Sequence, residues 1–278
     1  MRSLLLLLVL VPCRATADEI RSPDGAIRWN SGDSSYTFLN KRGKKRSRVL
    51  PALPKNGAWG RRLLFGKNSD YYCVLDEKSE ELGLHLGDRR GAETAKMAVS
   101  ASILRLMKKG GRTVWKQRLR DRHFGGAGTK KEIPLQIAEN GTLAVLLQDG
   151  GPFSESRPVI LVVDPRGRVR IDLNYTAWSR VDELSLSKDG KRLAVHGLGR
   201  IPEKDDWGKA VGVYNLDGEG GWVRAVSQAQ ASTSTLQVNP DGWVCCVREG
   251  PVYVAFDPVG RRERMEAPEM RRRFGEPK

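Results

Sequence analysis

The side chains able to do chemistry are few and scattered. Histidine occurs three times, at His85, His123 and His196, and no two of these have the spacing of metal ligands. There is no G-x-S-x-G nucleophile elbow, no phosphate-binding P-loop and no C-x-x-C pair. Carboxylate pairs of the kind that hydrolyse glycosides could be drawn from Asp88, Asp149, Glu155, Asp205 or Asp206, but no spacing singles out two of them. Gly125-Gly-Ala-Gly128 has the composition of an anion-binding nest and equally that of a flexible glycine loop. Acid–base and nucleophilic catalysis need convergent groups. The sequence offers none, so it reads as a non-catalytic chain without cofactor or metal.

The N-terminus reads as an export signal. Met1-Arg-Ser is followed by the apolar run Leu4 to Val11 and by Ala15-Thr-Ala17, the charged start, short core and cleavage site of a secretory signal. Cleavage after Ala17 would leave Asp18 first. Leu10-Val-Pro-Cys13 is loosely lipobox-like, with Pro12 where a small residue is required. No later apolar run is long enough for a membrane helix. The remaining cysteines are Cys73, Cys245 and Cys246. Two neighbours on a strand point to opposite faces, so at most one of the last two could pair with Cys73. Buried thiols are the simpler reading. Asn140-Gly-Thr142 and Asn174-Tyr-Thr176 are glycosylation sequons, relevant only in a eukaryotic secretory path.

The formal net charge is +15, or +13 once Arg2 and Arg14 leave with the signal. Such a balance suits a polyanion partner: envelope glycopolymer, anionic lipid or nucleic acid. The basic runs, among them Lys44-Lys-Arg46 and Arg271-Arg-Arg273, are spread along the whole chain. That spread equally suits a solvated surface.

The elements that must position any site are short strands joined by glycine turns. Val181 to Leu186 alternates as a half-buried strand does, Arg192 to His196 is its partner, and Ser187-Lys-Asp-Gly190 is the turn between them. Ala210 to Leu216 and Gly221 to Val226 form a second pair. The first hairpin recurs at Leu135 to Val145 around Gly141, at Leu236 to Val244 around Gly242, and more faintly at Ile20 to Ile27 around Gly25. The second recurs with its turn at Gly43, Gly110, Gly167, Gly218 and Gly260. A spacing of roughly 40 to 70 residues is that of propellers and solenoids.

Two bacterial propeller repeats resemble these motifs. Ser187-Lys-Asp-Gly-Lys-Arg-Leu-Ala-Val195 is similar to the WD40-like repeat of TolB-type propellers. Leu104 to Leu119, with Gly111 followed by Trp115, resembles the quinoprotein (PQQ-like) repeat. The tryptophan has one clear copy, so quinone binding is not carried over. Ser22-Pro-Asp-Gly-Ala-Ile-Arg-Trp29 is similar to a sialidase Asp-box, with Ala26 where that motif has glycine. Propellers host many functions, so the resemblance speaks to fold.

The expected fold is therefore all-β: a β-propeller of four-stranded antiparallel blades over residues 18–267, after a signal at 1–17 and before a basic C-terminal tail at 268–278. Five blades are expected, with Tyr71–Asp76 and Leu82–Leu86 as the first hairpin of the second and Glu77–Glu81 as its turn. A sixth is expected if Leu63–Asp76 is itself a hairpin. In a meander the turns after strands one and three share a side, and here those are the tight glycine turns. The opposite side would carry the long connections, including Asp88–Lys96, Asn174–Arg180 and Gly197–Lys209. Binding tends to use such loops on a rigid scaffold. Trp178, Trp207, Arg157, Arg180, Arg200, Asp205, Asp206 and His123 are the candidate contacts there, both tryptophans in connections, with little concavity on the short-turn side. The function expected is an exported binding or scaffold module of the periplasm or exterior, its partner an unidentified protein or envelope glycopolymer. A propeller-type glycan-active enzyme and a charge-driven polyanion binder are the alternatives.

Overall fold

A computed structural model describes residues 19–30, 33–40, 42–66, 70–86, 93–119, 122–123, 135–149, 157–174, 176–218, 220–226, 234–249 and 252–275. They form five sheets, each a four-stranded antiparallel meander in chain order. Sheet one is β1 (Glu19–Arg21), β2 (Ile27–Asn30), β3 (Ser35–Leu39) and β4 (Lys45–Val49). Sheet two is β5 (Ala58–Phe65), β6 (Tyr71–Leu86), β7 (Glu93–Lys108) and β8 (Thr113–Leu119). The short β9 (Arg122–His123) pairs onto sheet three, which is β10 (Leu135–Ile137), β11 (Leu143–Asp149), β12 (Arg157–Val163) and β13 (Val169–Leu173). Sheet four is β14 (Trp178–Leu186), β15 (Arg192–Ile201), β16 (Asp206–Asn215) and β17 (Gly221–Ala225). Sheet five is β18 (Ser234–Val238), β19 (Val244–Glu249), β20 (Val252–Phe256) and β21 (Arg262–Glu266), followed by helix α1 (Ala267–Phe274). This is the five-bladed propeller architecture. The signal and Cys13 lie outside the described residues.

Two expectations about sheet two are corrected. Glu77–Glu81 is not a turn, because β6 runs unbroken from Tyr71 to Leu86 with Glu77 paired to Ser102 and Gly60. Its hydrophilic composition imitates a turn, but each residue from Glu77 to Glu81 pairs with one on β7. Leu63–Phe65 and Tyr71–Asp76 do pair as a hairpin, but it is the β5–β6 hairpin of this same sheet, so among the described residues there is no sixth sheet. β6 and β7 continue as a two-stranded ribbon past the ends of β5 and β8.

The middle strands are apolar on both faces because neighbours cover both. In β12, Val159 to Val163 are all buried, odd residues in a core shared with sheet two and even ones in a core shared with sheet four. Similar clusters join sheet one to two, around Trp29 and Tyr72, and sheet four to five, around Val211 and Phe256. The first strands β5, β10, β14 and β18 approach one another in turn, which places them innermost.

At the short-turn ends side chains clasp the next sheet. Arg48 Nε donates to the Gly110 carbonyl at 3.2 Å, Gln117 Nε2 to that of Gly167 at 2.5 Å, and Arg224 Nε to that of Gly260 at 3.3 Å. The turns themselves are stapled by their polar residues. Ser187 Oγ donates to Asp189 Oδ1 at 2.6 Å and accepts the N–H of Arg192 at 3.0 Å. Ser22 and Asp24 repeat this at the Asp-box-like turn. Gly190 sits at φ +67, and a Cβ there would lie 2.5 Å from Asn140 Oδ1. Both backbone and space therefore demand glycine. At the turns marked by Gly110 and Gly218 the positive φ lies on neighbouring glycines, Gly111 and Gly220 with Gly221.

The expected basic tail begins as a helix. Pro268 lies in its first turn with Glu269, Arg271 to Arg273 in its last, the charge order that complements the helix dipole. Met270 is fully buried on sheet five with Cys245, Tyr253, Ala255 and Met265. The Arg273 guanidinium lies 3.7 Å from the centre of the Trp243 ring, a cation–π contact. α1 thus covers the face of sheet five that points away from sheet four. Cys73 and Cys245 are both buried, and burial pushes the Cys73 thiol far above its ordinary pKa.

Candidate binding surfaces

The Gly190 turn and the turn after β15 lie at opposite ends of sheet four, as the meander requires. The expected Gly197–Lys209 loop is corrected. β15 runs to Ile201 and β16 starts at Asp206, leaving Pro202–Asp205 as the turn. Its glycines read as loop residues, yet they serve close approach. A Cβ at Gly197 would lie 2.0 Å from the Arg180 carbonyl oxygen. At Gly199 and Gly212 it would lie 2.8 Å from the Trp178 indole.

Trp178 is therefore also corrected, from connection to strand. It opens β14, is 1% exposed, and donates from Nε1 to Tyr214 Oη at 2.8 Å. It is a packing residue and offers no surface. Trp207 lies in β16, not in a connection, and is 43% exposed. Arg180 and Arg200 lie in β14 and β15, and Asp206 opens β16. Asp205 is in the turn at φ +47, the one non-glycine positive φ among the described residues. Arg157 opens β12 in sheet three, and His123 lies in β9.

The registers bring part of this set together. Arg180 pairs with Leu198, Leu198 with Lys209, and Arg200 with Trp207. Residues paired across strands or two apart share a face, so Arg180, Arg200, Trp207 and Lys209 form one surface of sheet four. It extends the face that packs on sheet five through Val211. Asp182, the extra residue of a bulge in β14, accepts from Arg180 Nε at 2.8 Å and Lys209 Nζ at 2.6 Å. Burial pushes its pKa up, but those two cations outweigh it and hold the carboxyl below its ordinary value. Arg200 pairs with Asp205 at 2.5 Å. His196 lies beneath, opposite Val211 and fully buried, with neither ring nitrogen bonded among the described residues. Burial lowers its pKa from the ordinary 6.5, Asp182 opposes, and Lys209 and Arg180 add to the lowering. The ring is therefore neutral at pH 7. Sequence reading missed Asp182 and Lys209; the Arg180-x-Asp182 spacing on a strand was the available signal.

The short-turn side is not flat, contrary to expectation. A cavity of about 490 Å³ between sheets four and five reaches the short turns at Pro258 and Val259 and is lined also by Trp222 and by Pro202 of the opposite turn. Another of about 290 Å³ lies between sheets three and four, and one of about 140 Å³ on sheet one. Tight turns pack tightly within a sheet, but neighbouring turns diverge and leave clefts. Among the described residues no three His, Cys, Asp or Glu side chains are grouped to hold a metal ion, and no helix is long and apolar enough to cross a membrane.

No family model matches this chain, and no curated protein matches it. Among solved structures it is similar to the hydrazine synthase of Kuenenia stuttgartiensis, at 13% identity over 92% of this chain and 80% of that one, with a TM-score of 0.34. A likeness that distant carries no argument about activity.

Proposed function

We propose that the chain is an exported, non-catalytic propeller of the WD40-like or quinoprotein-like repeat type. It serves as a binding or scaffold module of the cell envelope, with its partner, a protein or a glycopolymer, held on sheet four. The supporting observation is the exposed Trp207 ring, fixed in a ladder beside Arg200 and flanked by Arg180 and Lys209 on the same face. A rigid aromatic among guanidiniums is the composition of interface hot spots, since it offers large contact area for little lost conformational freedom.

Cell fractionation with N-terminal sequencing tests export. The mature chain should begin at Asp18, and a chain starting at a lipid-modified Cys13 or retained in the cytoplasm would overturn that half.

Co-sedimentation of the purified chain with isolated envelope material tests binding. Trp207→Ala with Arg200→Ala should weaken it by about tenfold or more, the loss of one hot spot. Lys44→Ala with Arg262→Ala, away from that surface, should leave it unchanged. Equal losses in both pairs, or no binding by the parent, would sink the assignment.

A further inference from the structure

Sheets three and five carry the same outer turn, and the pair acts as an internal control. Asp257-Pro-Val-Gly-Arg261 closes sheet five's turn: Asp257 Oδ1 accepts the N–H of Val259 and of Arg261 at 3.0 and 2.8 Å, and Oδ2 accepts from Arg261 Nε at 2.6 Å. Asp164-Pro-Arg-Gly-Arg168 does the same in sheet three, with 2.8 and 2.9 Å to the N–H groups of Arg166 and Arg168 and 3.0 Å to Arg168 Nε. The staple is therefore what this turn requires for folding. What sheet three adds is not. Arg166 stands where sheet five has Val259, and Arg170 where sheet five has Glu263. Arg170 Nε donates to the same Asp164 Oδ2 at 3.0 Å.

Two guanidiniums thus share one carboxylate, each through Nε alone. Their Nη groups have no partner among the described residues. Asp164 itself is 7% exposed. Burial raises its pKa, but the N–H groups of Arg168 and Arg166 and then both guanidiniums lower it further, so it stays ionised and holds the pair in place. Both arginines line the cavity of about 290 Å³ between sheets three and four, as do Arg166, Asn140, Thr142 and Lys191. Asp189 and Asp217 line it too. Asp189 is committed to its own turn through Ser187 and the Lys191 N–H, and Asp217 to Lys191 Nζ at 3.2 Å.

This junction also differs from its neighbours. Gly110, Gly167 and Gly260 each accept an arginine or glutamine from the preceding sheet. Among the described residues no sheet-three side chain clasps the outer turn of sheet four, and the cavity opens beside that turn.

We propose that this cleft binds a tetrahedral oxyanion of the phosphate class, free or as the end group of an ester, between the guanidiniums of Arg168 and Arg170. The unpaired Nη edges of two fixed forks match phosphate oxygens. The site is independent of the surface around Trp207, so either assignment can fail alone.

Isothermal titration with inorganic phosphate and with glycerol 3-phosphate, at physiological ionic strength, tests it. The parent should bind at one saturable site. Arg170→Glu, which installs the sheet-five residue, should weaken binding by about tenfold or more, the loss of one charge-assisted contact with a like charge in its place. Arg166→Val should weaken it less. Arg261→Ala removes the same staple from sheet five and should leave affinity within about twofold, since sites this far apart act independently. A preference for glycerol 3-phosphate identifies an ester as ligand, and a preference for inorganic phosphate the free ion. No saturable binding by the parent, unchanged binding in Arg170→Glu, or an equal loss in Arg261→Ala would overturn the proposal.

Discussion

Trp178→Ala should lower the free energy of unfolding by about 3–5 kcal/mol, the range for emptying a large aromatic site in a packed core. The indole fills the slot over Gly199 and Gly212 in the core between sheets three and four. Removing it leaves a void that glycine backbones cannot fill, because the ladder β14–β15–β16 holds them in register. It also strips the part-buried Tyr214 hydroxyl of its donor at 2.8 Å. Chemical denaturation followed by circular dichroism reads the change, and Trp178→Phe should lose less. A Trp178→Ala variant within about 1 kcal/mol of the parent, the size of an average substitution, would show that this core does not hold the two sheets together.

Asp76→Ala is expected to be comparably severe, at about 3–5 kcal/mol, through charge and not volume. Asp76 is fully buried on the face of sheet two that meets sheet one. It accepts from Arg61 at 2.5 and 3.0 Å and from Arg105 at closer range. Arg61 also donates to the Pro51 carbonyl at 2.7 Å, which ties in the segment between the sheets. Removing the carboxylate leaves two guanidiniums in a site that excludes water. Replacing all three by apolar residues of similar volume should restore most of the loss, since breaking a buried ion cluster is worse than never having one. Denaturation of the single and triple variants measures this. A triple variant as unstable as Asp76→Ala would mean that volume, not unpaired charge, carries the effect.

What the sequence revealed follows from the range of the interactions involved. Ser187-Lys-Asp-Gly190 and Asp257-Pro-Val-Gly-Arg261 close on themselves through their own side chains, so their repetition declared the sheets and their number. The ribbon of β6 and β7 was hidden because Glu77 to Glu81 are polar yet paired across strands, which no local pattern records. Trp178 was misread because bulges at Ser179 and Asp182 interrupt the alternation of β14. Its glycine partners lie in other strands. Arg180, Arg200 and Trp207 were found as candidate residues through type and region, but their common face depends on register. The cleft beside Arg168 and Arg170 was missed because it lies between two turns, each unremarkable alone.

Helix α1 has a bearing on how the molecule holds together as a whole. The apolar clusters couple each sheet to its successor, and the last is coupled to α1. Among the described residues none couples the fifth sheet to the first. Sheet one carries Arg28, Thr37, Lys45 and Ser47 on one face, with the half-exposed Leu39. One face of sheet one is thus polar, and one face of sheet five is covered by a helix. Among the described residues, apolar packing passes from each sheet to its neighbour in the chain and from sheet five on to α1. Lifting α1 away would bare Cys245, Tyr253, Ala255 and Met265 of sheet five to water while leaving the clusters between the other sheets in place.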